Sequence, residues 1–175
     1  MNGKRNPQPP LSPRLGRYRI DTARSAVAFR GRHLFGLLPV RGTLALRDGT
    51  VDVAEPLADS AVVAEVGTAS FRTGNDRRDL AVVSRRFLDA ERHPVMTFVS
   101  RRVTHTAVDG TLTVSGVSRP VVLTVERSEV SGDGFTVRAT ARVDRTVFGV
   151  TAARGLAGRY LEVSVEIACV PGEGS

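Results

Sequence analysis

From Phe135 to Asp144 every second residue is apolar. Phe135, Val137, Ala139, Ala141 and Val143 face one way, and Thr136, Arg138, Thr140, Arg142 and Asp144 face the other. A period of two is that of a β-strand with one buried face. Leu161, Val163, Val165, Ile167 and Cys169 repeat the pattern against Glu162, Ser164 and Glu166. Shorter versions place Val27, Phe29, Gly31 and His33 on one face, then Val40, Gly42, Leu44 and Leu46. Later come Met96 with Phe98, Leu112 with Val114, and Val121 with Leu123 and Val125. Asp48-Gly49, Asp109-Gly110 and Gly132-Asp-Gly134 carry turn chemistry, so hairpins are expected there. Eight or more strands joined by hairpins make an antiparallel sheet, and one apolar face per strand means that one side is buried. Such a sheet closes into a barrel or folds into a sandwich. An eight-stranded barrel is just wide enough to be filled by side chains or to hold one small ligand. Gly31, Gly42, Ala139 and Ala141 stand where bulky residues would fill the interior, and the chain has no Trp. The expected fold is therefore all-β, an antiparallel eight-stranded barrel with an apolar cavity. A packed sandwich with the small residues at tight crossings is the alternative.

One stretch departs from the period of two. Leu80, Val83 and Phe87, with Leu88 beside them, recur at helical spacing. Asn75 or Asp76 caps the start, Asp76 and Asp79 sit at the positive helix end, and Arg85 and Arg86 at the negative one. His93-Pro94 closes the segment. The spacing predicts one short inserted helix over about 76–88, its Leu80, Val83 and Phe87 stripe packed on the barrel as a lid or plug. Arg78 and Asp79 at the mouth could meet a ligand's head group, against capping and charge pairing as the plainer roles.

The formal net charge is +7, and residues 1–17 carry Lys4, Arg5, Arg14 and Arg17 with no acid. That proline-rich stretch reads as a disordered basic arm, ahead of a single domain over 18–170 and a tail over 171–175. Solubility is its bland role; contact with anionic membrane or nucleic acid is the sharper one. Elsewhere the arginines alternate with Thr and Asp on outer faces, so the nucleic-acid signal is weak. Cys169 is the single cysteine and reads as a small buried hydrophobe. There is no apolar run of membrane-spanning length and no signal-peptide pattern, and the expected compartment is the cytoplasm. Oligomeric state stays open, with a dimer among the options.

No catalytic motif is present: no nucleophile elbow, no phosphate loop, no dinucleotide fingerprint. His33, His93 and His105 lack metal-ligand spacing, and neither a metal nor a cofactor is expected. The candidate ligand-lining residues are the inward apolar ones. These are Val27, Phe29 and His33 on an early strand, with Leu44, Phe98, Leu112 and Leu123 on the next ones. Phe135, Val137, Ala139 and Ala141 follow, and Val163 and Val165 complete the set. His33 is either a polar anchor for a head group or a satisfied rim residue. An enzyme acting inside the barrel would have to rely on His33 with Asp79 as its acid–base pair.

Several linked motifs, in order, resemble the YceI-like family of lipocalin-like bacterial proteins, described as polyisoprenoid-binding. They begin with Tyr18-Arg-Ile-Asp21 and Ser25-Ala-Val-Ala-Phe29. Arg78-Asp79, Ser84, Phe87-Leu-Asp89, His93-Pro94 and Phe98 follow, then Leu112-Thr-Val-Ser-Gly-Val-Ser-Arg-Pro-Val-Val-Leu123 and Arg145-Thr-Val-Phe-Gly149. Tyr18 stands where the family usually has Trp, and Ala81 where it has His. The resemblance implies a lipocalin-like barrel. It also implies non-enzymatic binding of a long apolar ligand, such as an isoprenoid, an isoprenoid quinone or a fatty-acyl lipid, for carriage or storage. Many relatives carry a signal peptide, and no such segment is read here.

Overall fold

A computed structural model describes residues 12–33, 38–152 and 158–173. The described strands are β1 Gly16–Ile20, β2 Ala26–His33, β3 Leu38–Leu44, β4 Leu46–Val53, β5 Ala61–Gly67, β6 Val95–Val103, β7 Ala107–Val114, β8 Val117–Ser131, β9 Gly134–Asp144 and β10 Tyr160–Pro171. All pairings are antiparallel, and β1 joins both β4 and β10. The sheet thus closes through β1, β4, β5, β6, β7, β8, β9 and β10, which makes an eight-stranded barrel. β2 and β3 continue β1 and β4 beyond two bends. A 3-10 turn at Thr22–Arg24 interrupts the first, and Ala45 the second. β10 spans the first bend, pairing with β1 near its end and with β2 near its start.

Two Asp-Gly pairs expected to turn the chain lie inside strands instead. Gly49 pairs with Ala64 in the middle of β4, beside a bulge at Leu46–Asp48. Gly110 pairs with Ser100 and Val121 in the middle of β7. A Cβ at Gly49 would overlap the Ile20 side chain, and one at Gly110 the Phe98 ring. Both glycines serve close approach of an inward side chain, not reversal. The actual β7–β8 reversal is Ser115-Gly116, both at positive φ (49° and 76°), which suits a tight hairpin. Gly132-Asp133 turns β8 into β9 as expected.

Helix α1 spans Asp76–Val83, five residues shorter at its C-terminus than the spacing predicts. Ser84 caps it, and residues 85–92 continue as turns. Strand β1 starts at Gly16, inside the stretch read as an arm, and Arg17 pairs with Asp52 at 2.7 Å. Residues 1–11 of that arm, the Leu34 to Leu37 connection, residues 153–157 between β9 and β10, and the last two tail residues lie outside the described residues.

The core has two parts. One fills the end where β1 starts and β10 finishes: Tyr18, Ile20, Val27, Leu46, Val51, Phe135 and Cys169. Tyr18 meets Phe135 edge-on with centroids 4.8 Å apart, and its hydroxyl donates to the Arg14 carbonyl at 2.8 Å. The other part lies at the opposite end: Met96, Val114, Phe148 and Val150. The first end is a floor. The second is the mouth, reached by α1, by the 3-10 turns Thr68–Ser70 and Arg145–Phe148, and by Ser115-Gly116.

Candidate functional site: the barrel interior and its mouth

Register places the expected lining residues on one surface. Val163 sits between Phe29 and Ala141, and Val165 between Val27 and Ala139. Phe98 pairs with Leu112 and Ala64, while Val137 pairs with Ile167. Leu44 and Val66 touch both core clusters, so the interior is continuous from floor to mouth. Phe135 and Val27 belong to the floor, and Phe29 is 5% exposed. Leu44, Phe98, Leu112, Leu123, Val137, Val163 and Val165 are only half-buried although they face inward. An inward side chain between two paired strands is shielded from bulk water by the sheet itself. Incomplete burial there marks a lumen not filled to the density of a native core.

The space does not come from the glycines. The gap left at Gly31 is occupied by Leu161 and that at Gly42 by the Phe29 ring. Ala139 and Ala141, at 4% and 8% exposure, are covered by neighbours. The half-buried inward positions lie on β3 and along β6 to β10.

The lid is built differently from its expected form. Leu80 is 71% exposed and faces solvent. Val83 is half-buried, and Phe87 and Leu88 pack on the mouth cluster. The helix instead buries Asp79, at 6% exposure. This carboxylate accepts the Thr73 N–H at 3.0 and 3.1 Å and the Thr73 hydroxyl at 2.6 Å, while Arg78 Nε donates to that hydroxyl at 2.8 Å. The Thr73 hydroxyl bond holds Asp79 below the usual carboxylate range, against its desolvation, with help from the Thr73 amide and the Arg72 and Arg78 charges. A carboxylate so engaged is a poor base, which weakens its pairing with His33 as an acid–base couple. The His33 side chain lies outside the described residues; its backbone ends β2 opposite Leu38.

Two aromatic residues missing from the expected lining complete the mouth. Phe71 is buried and stacks on Phe29, and Phe148 is 3% exposed among Met96, Val114 and Val150. Phe71 is positioned by a two-way bond between Arg72 and Thr43, N to O at 3.0 and 2.8 Å, which pins the chain to the free edge of β3. Phe148 is positioned by Arg145, whose guanidinium donates to the carbonyls of Gly158, Val150 and Ala152 at 2.8 to 2.9 Å. Both lie in segments without alternation, so periodicity cannot mark them as inward. The Arg-x-x-Phe-Gly motif was the only signal for Phe148.

Among the described residues, Arg119 is a cation on the inner surface. Arg119 opposes Leu112 in register, two residues from the start of β8, yet it is exposed. The wall explains this. β8 pairs with β9 only from Thr124 onward, so Val117 to Leu123 are joined to β7 alone. Early β8 and late β9 are therefore not hydrogen-bonded near the mouth, where Val117, Val121 and Val143 pack against the cluster that holds Phe148. Arg119 has no carboxylate within 4.0 Å among the described residues; Nη1 donates to the Ser118 carbonyl at 2.9 Å. A groove of about 910 Å³ also crosses the outer face, lined by Arg30, Arg41, Arg72, Glu126, Arg138 and Glu162 among others. Its charged walls do not suit an apolar chain. Cys169 lies in the floor, where burial pushes the thiol up to about 12.

The sequence matches the model of the YceI-like domain over residues 18–170. It is 36% identical over 115 residues to a UPF0312 protein of Pseudomonas savastanoi pv. phaseolicola, covering 62% of this chain and 57% of that protein. The match thus spans little more than half the length of that relative. It is 30% identical over 165 residues to a UPF0312 protein of Serratia proteamaculans, covering 86% and 84%. The fold is shared with Burkholderia cenocepacia BcnA (TM-score 0.71, 20% identity, 86% of this chain and 99% of that one). It is shared as well with a polyisoprenoid binding domain from Saccharophagus degradans implicated in plant cell wall breakdown (TM-score 0.70, 13% identity, 89% and 98%).

Proposed function

The chain belongs to the YceI-like family, and from that footing we propose that it binds one long apolar molecule in the barrel interior, for carriage or storage. Isoprenoid, isoprenoid-quinone and fatty-acyl chains all fit this description. The observation that carries the reading is the continuous inward apolar surface, half-buried in its middle, between a packed floor and an aromatic mouth. Such a surface offers an apolar chain about 0.8 kcal/mol per buried methylene, before the costs of association. The structural neighbour described as polyisoprenoid-binding supports the same reading.

Polarity along the axis suggests which way round the ligand lies. The floor is apolar and the mouth carries Arg119, so the apolar end goes in first and a polar or anionic head stays by β8. Native mass spectrometry of the purified protein tests the proposal. Co-purified lipid, or uptake of added polyprenol with a stoichiometry of one, supports it. A chain that takes up neither polyprenols nor fatty acids rules it out.

A further inference from the structure

The two ends of the barrel differ in charge. Among the described residues, the connections at the mouth (68–94, 115–116, 145–152 and 158–159) carry eight arginines against four carboxylates. Those at the floor (54–60, 104–106, 132–133 and 172–173) carry Glu55, Asp59, Asp133 and Glu173 and no lysine or arginine; the cations beside them are Arg14 ahead of β1, Arg17 in β1, and Arg101 and Arg102 at the end of β6. Among the described connections, those at the mouth are the cationic ones.

Among the described residues, half of the exposed large apolar side chains gather at the mouth, while Leu15 lies at the floor and Val63, Val99 and Val122 lie along the wall. Leu80 on α1, Leu38 at the start of β3, Val147 after β9 and Tyr160 at the start of β10 are all exposed, and all lie at the mouth. Tyr160 has the Arg142 guanidinium 4.0 Å from its ring centre. An aromatic ring beside arginine, set among exposed leucines, matches the chemistry of a membrane interface.

A third observation concerns the mouth's flank. Arg30 and Arg41 are directly opposite each other on β2 and β3. Like charges in that position repel. Neither has a carboxylate within 4.0 Å among the described residues: Glu162 stands opposite Arg30 on β10 but pairs with Arg142, and both arginines line the outer groove with Arg72. An anionic surface would relieve that repulsion.

We propose that the mouth end docks on an anionic lipid bilayer, with Arg30 and Arg41 among the headgroups and Leu80 and Tyr160 at the acyl boundary. The inference rests on the lipid-binding reading for its purpose, since a ligand insoluble in water is best exchanged where the mouth meets the membrane. The docking itself needs no bound ligand. It also differs from contact through the N-terminal arm, because β1 begins at the floor and arm contact would turn the mouth away.

The test is co-sedimentation of the full chain with vesicles of phosphatidylglycerol and phosphatidylcholine, and with phosphatidylcholine alone. At ionic strength of about 0.01 M, where charges act over about 30 Å before screening removes them, the protein partitions to the anionic vesicles and is released by salt. Each arginine near an anionic surface is worth about fivefold in partitioning. R30Q/R41Q therefore weakens binding about 25-fold by the same increment. L80S weakens it further, and K4Q/R5Q/R14Q leaves it nearly unchanged. No partitioning to anionic vesicles, or a loss that follows K4Q/R5Q/R14Q in place of the mouth variants, overturns the proposal. Uptake of an apolar fluorescent dye in vesicle-free solution reads the lumen separately and is retained by R30Q/R41Q. If the wild type takes up no dye yet partitions as described, the lumen reading falls and the docking stands.

Discussion

The Phe71 ring lies stacked on Phe29, with centroids 4.9 Å apart and planes 19° apart. Phe29 comes from β2 and Phe71 from the segment between β5 and α1, so the contact fastens the lid segment to the barrel wall. Phe71→Ala removes a buried ring and leaves Phe29 half-covered. The expected cost is about 3 kcal/mol of stability, read from the denaturant midpoint at constant slope. The same variant releases an apolar dye faster than wild type, because the ring over the lumen is gone. Unchanged stability and unchanged release would show that the stack is dispensable.

Among the described residues Arg119 makes no ion pair across the lumen, so an anionic head is its natural acceptor. Arg119→Gln keeps a donor and loses the charge. A charged hydrogen bond contributes about 1.5–3 kcal/mol, so preference for an anionic-headed over a neutral-headed chain of equal length falls about tenfold or more. Competition binding of a fatty acid against its alcohol measures this ratio. Affinity for the alcohol stays within about twofold, since the apolar contacts are untouched.

The alternation of β9 and β10 exposed the barrel almost directly: the residues read as inward at Val137, Ala139, Ala141, Val163 and Val165 do form one inner surface. Glycine misled. Asp48-Gly49 and Asp109-Gly110 have hairpin chemistry, yet Gly49 makes room for Ile20 of β1 and Gly110 for Phe98 of the preceding strand, and no local pattern records either approach. The helix misled differently. Its stripe has the correct period, but the face turned inward is set by Thr73, which captures Asp79 and leaves Leu80 outside. The mouth was the least legible part, because Phe71 and Phe148 are held by backbone bonds in irregular segments.

The glycine argument makes its own prediction. Gly110 is extended backbone that any residue can adopt, so a substitution there suffers from space alone. Gly110→Val drives a branched side chain into the Phe98 ring, with backbone of Val99 close behind it. Overpacking of this kind costs about 1–3 kcal/mol. The double variant Gly110→Val/Phe98→Ala recovers part of that loss, and thermal unfolding of the four members of the cycle tests it. Simple additivity would mean that the Phe98 ring is not the obstacle.

Cys169 is 2% exposed in the floor, and burial lifts its thiol to about 12. Thiol reagents attack the thiolate. Native protein at pH 8 is therefore expected to react with a disulfide reagent far more slowly than the same protein in guanidinium, where the thiol returns to about 8.5. Equal rates in the two states would place the floor open to solvent. Apolar ligand leaves the native rate unchanged, because Cys169 lies at the end opposite the mouth.

Asp79 ties α1 to the chain that carries Phe71, and its proton linkage has a definite sign. Three hydrogen bonds from Thr73 favour the ionised carboxylate, so its folded pKa is lowered relative to the unfolded chain. The stability this contributes is present above the unfolded value of about 3.9. It is lost as pH falls through the lowered folded value. Asp144 is lowered in the same way by Thr146, ahead of Arg159, so wild-type acid unfolding alone does not isolate Asp79. The difference between wild type and Asp79→Asn does. Asparagine keeps an acceptor oxygen for Thr73 but has no proton to gain. The stability gap between the two proteins is widest near neutrality and closes in acid, below the ordinary carboxylate range. Denaturant midpoints at neutral and acid pH measure it, with Thr73 amide exchange as the local readout. A gap that stays constant with pH would mean that the Asp79 charge contributes nothing to holding the lid segment.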